Sequence, residues 1–390
     1  MSLNISAIRN ETLATTSLIH LNNAGASLIP DLVVEGVKKY IDYEAGHGGY
    51  ETAVVYEAQL NQLYTEAARL IHCSDHEIAY TESATVAWQR AFHSIPFESG
   101  DVIWVCSTEY ASNYISYLQL SKRTDITIKI IPNDPHGSVD CKAFAKLVST
   151  DDKLISVCHM PTANGLINPV EKIGEIANEH NILYLVDACQ SIGQYPVDVA
   201  KMKCDFLSVT GRKYLRGPRG TGFLYAREET TKHLEPLNLD LHGAEWLSED
   251  SYRMRNDAKK YETWESNLAA KYGLALALEY VNKLGIEEIR NRIIDLAALL
   301  RSELRNISHI EVHDTGMLQS GIVTFTSAKL SPNDIKIRLS KHGINVSVVV
   351  ASSAILDLKV RKIPEAVRAS VHYYNTKAEL GILITHLKDI

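Results

Sequence analysis

The stretch Leu183–Tyr225, LYLVDACQSIGQYPVDVAKMKCDFLSVTGRKYLRGPRGTGFLY, decides how the chain is read. An apolar run over Ile182–Val186 has the continuous hydrophobicity of a strand buried on both faces, and it ends on Asp187. A second run, Phe206–Thr210, ends on Gly211-Arg212-Lys213. A third, Thr221–Tyr225, comes at the end of the glycine-rich GPRGTG turn. Open α/β sheets bind ligands outside the carboxyl ends of their strands, so two strand ends here deliver an anion and an amine to one crevice.

Moving outward, Val102–Cys106, Ile126–Ile131 and Leu154–His159 are further short, Val/Ile-rich runs. Helical patterns separate them at Ala84–His93, Ala111–Lys122, Cys141–Leu147 and Val170–Glu179. The last opens after Asn168-Pro169, with Pro169 suited to a first helical turn. Such alternation predicts an α/β fold, a doubly wound and mostly parallel sheet with right-handed crossovers. Beyond residue 265 the rhythm changes. Long helical patterns at Leu268–Leu284 and Ile286–Arg305 are followed by strand-like Ser320–Thr326, a helix over Pro332–Lys341, strand-like Ile344–Val350 and Arg368–Tyr373, and a helix over Thr376–Leu387. A length of 390 residues suits two domains. The expected division is a large domain over 15–265 and a small α+β domain over 266–390, with residues 1–14 set against the small one.

Composition excludes several classes. With 45% hydrophobic residues the chain can bury a sizeable core, so it is not a disordered or collagen-like protein. The net charge of −7 leaves no basic field for a nucleic acid or an anionic membrane, and partners of both kinds are discounted. No apolar stretch reaches the ~18 residues of a spanning helix, and Met1–His20 holds no secretory apolar region, so a cytoplasmic location is expected. The six cysteines are scattered without a C-x-x-C pair, which argues for reduced thiols and against a zinc site; no metal is expected.

Taken alone, Asp187 reads as a cap or turn residue and Lys213 as a solvated charge. Together at adjacent strand ends they are what pyridoxal phosphate requires: an amine for a Schiff base and a carboxylate to keep the pyridine nitrogen protonated. The GPRGTG run precedes a strand and does not follow one, which weakens a dinucleotide reading. No P-loop, HExxH or GxSxG motif is present.

From Leu21-Asn22-Asn23-Ala24-Gly25 through Val367-Arg368-Ala369-Ser370, the chain resembles class V aminotransferase-fold enzymes. These are fold-type-I pyridoxal phosphate proteins that include the cysteine desulfurases. Gly48-Gly49-Tyr50-Glu51, Glu109-Tyr110-Ala111-Ser112-Asn113, Gly211-Arg212-Lys213-Tyr214 and Tyr374-Asn375-Thr376 look most like one branch. It holds ergothioneine-pathway C–S lyases, which act on hercynylcysteine sulfoxide, and proteins named after isopenicillin N epimerase.

The resemblance implies roles position by position. Lys213 matches the Schiff-base lysine, Asp187 the partner of the pyridine nitrogen, and Gln190 the group on the phenolic oxygen. Thr210 and Arg212 match phosphate ligands that are Ser and His in relatives. Ser83-Ala84-Thr85 opens a helix after strand-like Ile78–Thr81 and matches the phosphate-binding Gly-Ala-Thr, where Ser83 would resist a positive φ. Tyr110 is the aromatic of its loop and the candidate to stack on the ring, though a one-residue shift puts Ala111 there. Arg368 matches the arginine that grips the substrate carboxylate, and Asn23 a position near the substrate. A homodimer is implied, completed by Gly48-Gly49-Tyr50 and Trp264-Glu265-Ser266-Asn267, with Ser266 proposed to reach the partner's phosphate.

Relatives that are desulfurases accept sulfur on a cysteine in a small-domain loop. The matching segment here is Ser347-Val348-Val349-Val350-Ala351-Ser352-Ser353, and no cysteine follows Cys204. The expected reaction is therefore C–S β-elimination from a cysteine S-conjugate or sulfoxide. The alternatives are an aminotransferase, an amino-acid epimerase, and a non-catalytic protein on the same fold. Side-chain selectivity is expected in loops around Gly46–Tyr56, Leu237–Arg255 and Val346–Ile355, with His47, His242, Trp246, Arg253 and Arg255 as candidate contacts.

Overall fold

The strands that carry the site residues lie side by side because their residues alternate between two cores. In the computed structural model, which describes residues 3–390, the main sheet is built from β1 (Ile78–Thr81), β2 (Val102–Val105), β3 (Thr127–Ile130), β4 (Leu154–Cys158), β5 (Leu183–Asp187), β6 (Phe206–Thr210) and β7 (Gly222–Ala226). Their order is β1-β7-β6-β5-β4-β2-β3. All pairings are parallel except those of β7, which runs antiparallel to both β1 and β6. Leu154, Leu185, Phe206 and Leu224 belong to one core with Trp88 and Phe92. Ile155, Val157, Tyr184, Val186, Leu207, Val209 and Phe223 belong to the other. That is the two-residue period of a strand covered on both faces. Helix Ala84–Ser94 covers the first face through Ala87, Trp88, Ala91 and Phe92. Helix Val170–Glu179 covers the second through Val170, Ile173, Ile176 and Ala177. Edge strand β3 has no fully buried residue, as suits an edge.

A second sheet is antiparallel, in the order β8-β9-β11-β10, from β8 (Ile310–Val312), β9 (Ile322–Ser327), β10 (Ser347–Val350) and β11 (Glu365–Ser370). The expected single strand Ile344–Val350 is split. Ile344–Asn345 pairs in parallel with Ile19–His20, while Ser347–Val350 pairs with β11. The expected strand Arg368–Tyr373 lies earlier, because an isolated bridge from Asn22 to Ser370 closes its end and Ala24 donates to Ser370 Oγ. The N-terminal segment is tied to the C-terminal one: Arg9 donates to Tyr374 O and to Glu379 Oε1, at 3.0 and 2.7 Å. Met1 and Ser2 of that segment lie outside the described residues.

All three segments expected as selectivity loops hold regular structure, the third through β10. Gly49–Val55 is helical, and Ala244–Ser248 with Ser251–Met254 forms a hairpin. Helices Asp31–His47 and Glu57–Ile71 also form, against Leu268–Leu284. Among the described residues no helix is long and apolar enough to cross a membrane.

Two glycines bring backbone against backbone where the site forms. A Cβ on Gly222 of β7 would meet Val209 O at 2.3 Å and the Ser83–Ala84 peptide at 3.1–3.2 Å. Gly193 has φ +88, and a Cβ there would lie 2.4–2.7 Å from the backbone of Tyr214 and Leu215. Gly193→Ala combines a left-handed conformation with that clash. It should destabilise the chain by about 1–3 kcal/mol, the range for strained backbone positions. Chemical denaturation of the two proteins checks it, and equal midpoints would show the two turns free to separate.

Candidate active site

β5 ends at Asp187, which pairs with Cys158 of β4 on one side and Ser208 of β6 on the other. The carboxylate is fixed at both oxygens: Oδ1 accepts the Cys189 amide at 2.9 Å, and Oδ2 accepts Asn113 Nδ2 at 3.1 Å. After β6 the chain turns sharply, with Gly211 N on Thr221 O and Gly217 N on Gly211 O, and this turn presents Lys213. The lysine is only 8% exposed. Burial lowers its pKa below the usual lysine range; Asp187 and Cys189 oppose this, while Arg212 and Arg368 add to it.

One cleft gathers nine of the residues singled out in the sequence: Ser83, Ala84, Thr85, Tyr110, Asp187, Gln190, Thr210, Arg212 and Lys213. Cys158, Met160, Thr162 and Cys189 complete its lining. It offers about 470 Å³ of space, its open mouth included. Ser83 caps helix Ala84–Ser94, its Oγ accepting from Val86 N at 3.2 Å. Its φ of −171° is ordinary extended backbone, so the expected resistance to a positive φ does not arise. Tyr110 stands before helix Ala111–Ser121, 37% exposed, and lines both this cleft and an adjoining cavity.

Arg368 on β11 reaches the cleft through Thr162. Its Nη1 donates to Thr162 O and Oγ1 at 3.1 and 2.7 Å, and its Nη2 to Asn22 Oδ1 at 3.1 Å. Gln190 Nε2 donates to the same Thr162 Oγ1 and to Ala24 O. Thr162 thus joins the second sheet to the first, and sequence reasoning missed it. The signal was available: the segment follows β4, whose end lies beside Asp187. Asn23 does not line the cleft. Its carboxamide is spent on Ser370 O, His20 O and the Tyr374 hydroxyl, and the neighbouring Asn22 is the one that meets Arg368. His47 stacks on Tyr43, Arg253 pairs with Glu245, Arg255 pairs with Asp257, His242 faces Glu262 and Trp246 is exposed; none of the five lines the cleft. Tyr50 and Ser266 share a separate surface groove with Trp264.

The family model described as aminotransferase class-V matches residues 19–383. The chain belongs to that family. It is a pyridoxal-phosphate-dependent enzyme with the fold-type-I architecture. A probable cysteine desulfurase of Methanothermobacter thermautotrophicus is 32% identical, with 95% of this chain and 94% of that protein aligned. The apo cysteine desulfurase of Thermococcus onnurineus NA1 superposes with a TM-score of 0.90 at 27% identity, over 100% of this chain and 98% of the other. The cystine C–S lyase C-DES, solved with its product cysteine persulfide, superposes at 0.87 with 21% identity, over 97% and 99%.

The cleft suits that cofactor. An amine sits in a low-dielectric wall, a carboxylate is immobilised beside it, and a helix start with Thr210 and Arg212 offers donors to a phosphate. Gln190 Oε1 and Arg368 Nε are buried without hydrogen-bond partners, as groups awaiting a ligand would be. We expect Lys213→Ala to lose covalent attachment of the cofactor, read as the near-ultraviolet absorbance of the reduced adduct that stays with the denatured protein after borohydride treatment. Asp187→Ala should retain attachment and lose most of the turnover. Cofactor still attached in Lys213→Ala would place the bond on another lysine.

Proposed function

We propose that the enzyme is a C–S β-lyase acting on a cysteine S-conjugate or sulfoxide, in the manner of hercynylcysteine sulfoxide lyases. The observation that carries this is the wall facing Tyr110 and Thr162. Ser353, Ala354 and Asp357 line the cavity that adjoins the cleft there. Ser353 ends the segment Ser347–Ser353 that matches the sulfur-accepting loop of desulfurases, and it offers a hydroxyl in place of a thiol. Sulfur expelled from the substrate has no cysteine on this side to accept it. The C–S lyase activity in the name of C-DES supports the same reading.

Bound pyridoxal phosphate supplies an electron sink for a carbanion at the substrate's α-carbon. The chain supplies the rest. Arg368 takes the α-carboxylate through its unpartnered Nε and adjacent Nη, orienting the Cα–H bond. Lys213, its basicity tuned by burial, removes the α-proton. Asp187, clamped at both oxygens, would hold the proton on the ring nitrogen of the bound cofactor. Tyr110, at the junction of cleft and cavity, delivers a proton to the departing sulfur. The C–S bond breaks, releasing a thiol or, from a sulfoxide, a sulfenic acid; the remaining enamine takes up water to give pyruvate and ammonia. A sulfenate leaves more readily than a thiolate, so a sulfoxide asks less of Tyr110.

The groove shared by Tyr50, Trp264 and Ser266 marks the face through which a second copy completes the site, with Ser266 directed to the partner's phosphate. Tyr50, Val54 and Trp264 leave a large apolar area exposed there, which a homodimer would bury. Sedimentation should give twice the chain mass of 43.4 kDa for the active species. An active monomer would refute the dimer.

Holoenzyme mixed with cysteine S-conjugates and their sulfoxides should release pyruvate and ammonia in equal amounts. If no pyruvate forms while an amino acid and a keto acid exchange amino groups with ping-pong kinetics, the enzyme is an aminotransferase.

A further inference from the structure

Behind the cleft wall stands a second buried carboxylate that the proposed reaction does not use. Glu109, between β2 and helix Ala111–Ser121, is 7% exposed. Its Oε1 accepts the Tyr110 amide at 2.7 Å and Asn113 Nδ2 at 3.0 Å, and its Oε2 accepts the Tyr117 hydroxyl at 3.2 Å. The same Asn113 nitrogen donates to Asp187 Oδ2 at 3.1 Å. One carboxamide therefore bridges two buried acids, and among the described residues no lysine or arginine forms an ion pair with either.

We propose that Glu109 is a positioning residue of the cofactor cleft: through Asn113 it fixes Asp187, and its own ionisation sets how much negative charge stands behind the cofactor's ring. The proposal rests on Asp187 facing that ring. Asn113 Nδ2 has two hydrogens and spends one on each acid, so the two carboxylates are held at one fixed relation. A negative charge on Glu109 is felt by Asp187 in a low-dielectric wall where screening is weak. The titratable groups around Glu109 are Asp187 from β5, Tyr117 from its own helix, Cys106 after β2 and Cys158 at the end of β4. Asp357 stands across the adjoining cavity, already paired with Arg361. Burial first, and Asp187 second, push the Glu109 pKa up to about 8, against the hydrogen bonds from Asn113, Tyr110 and Tyr117. An acid raised in this way keeps its proton in the folded chain while the unfolded chain, near 4.5, releases it. Stability then falls as pH rises between those values, and the loss is complete above the folded one.

Glu109→Gln keeps the shape and removes the charge. Full-length apoprotein of both forms is melted at pH 6 and pH 9, and the affinity for pyridoxal phosphate is measured at the same two values. The variant should melt no higher than the parent at pH 6 and a few degrees higher at pH 9. The parent should bind the cofactor several-fold more tightly than the variant at pH 9, with the two nearly equal at pH 6, because only ionised Glu109 adds charge behind Asp187. Asn113→Ala, which cuts the bridge and removes a hydrogen bond that favours the charged form of Glu109, should lose most of the parent's pH 9 advantage in binding. A melting difference independent of pH would show that Glu109 does not ionise in this range and would overturn the proposal. A pH-dependent melting difference with parallel affinity profiles would show that Glu109 titrates without acting on the cleft, and would overturn it as well. None of these readouts depends on lyase turnover, so failure of the reaction assignment leaves them intact.

Discussion

The position of the amine relative to the carboxylate is set by one backbone contact. The turn after β5 lies directly on the turn after β6 at Gly193, where any Cβ would enter the Tyr214 peptide. Asp187 and Gln190 belong to the first turn, and Lys213 and Arg212 to the second. At Gly193 no side chain separates the two backbones, so the spacing there is fixed by peptide planes, which do not change rotamer. Gly222 does the same for the phosphate end, where β7 abuts the start of helix Ala84–Ser94. A parallel sheet alone would bring strand ends near one another. The glycines convert nearness into a defined geometry, which a cleft with an immobilised carboxylate requires.

Burying so many charged groups demands partners, and the chain provides most of them from far apart in sequence. Arg216 is fully buried just beyond Lys213. It donates to Leu28 O, the Tyr373 hydroxyl and Thr12 Oγ1, and so pins the lysine turn to both ends of the chain. Its φ of +61° is a strained conformation for a non-glycine residue, held by those three bonds. Arg368 is bound on Nη1 and Nη2 but not on Nε, and Gln190 on its nitrogen but not its oxygen. Such atoms cost stability in the absence of a ligand, on the order of 1–3 kcal/mol each. Both side chains also bind Thr162 Oγ1 of the cleft lining, so the expense of these two falls where a cofactor and a substrate carboxylate would recover it.

What could be read in the sequence was local. β5 and β6 show as continuous apolar runs because both faces are covered, and helices Leu268–Leu284 and Ile286–Arg305 show to the residue because Asn267 caps the first and Gly285 separates them. Helix Asp31–His47 escaped because it buries only Val33, Gly36 and Tyr40, too narrow a stripe to stand out from its polar residues. The break at Val346 was invisible because two different sheets share one apolar run, and only the pairing with Ile19–His20 reveals it. Residues fixed by motif, such as Ser83, Asp187 and Lys213, could be placed. Thr162, Asn113 and Asn22 could not, since each matters through a hydrogen bond to a residue distant in sequence. Asn22 and Asn23 illustrate the limit: the motif marks the pair, and only the register at Ser370 decides which of them meets Arg368.

Likeness to desulfurases in fold carries little weight for the fate of sulfur, because that fate turns on one side chain at the rim. A persulfide needs a thiolate able to approach the substrate's sulfur. Two thiols do line the cleft, Cys158 and Cys189, but neither meets that need. Burial and the nearby Asp187 carboxylate hold both far above the ordinary thiol range, so they remain protonated at neutral pH. Cys158 donates to Met160 O at 3.2 Å, and Cys189 is next but one to the carboxylate that repels its charge. In the adjoining cavity, Ser353 turns its hydroxyl to Val350 O. An alcohol in that position is a poor nucleophile toward sulfur at neutral pH. With no thiolate acceptor in these places, the proposed elimination, in which the departing sulfur group is protonated and released into solvent, asks for no change in the fold.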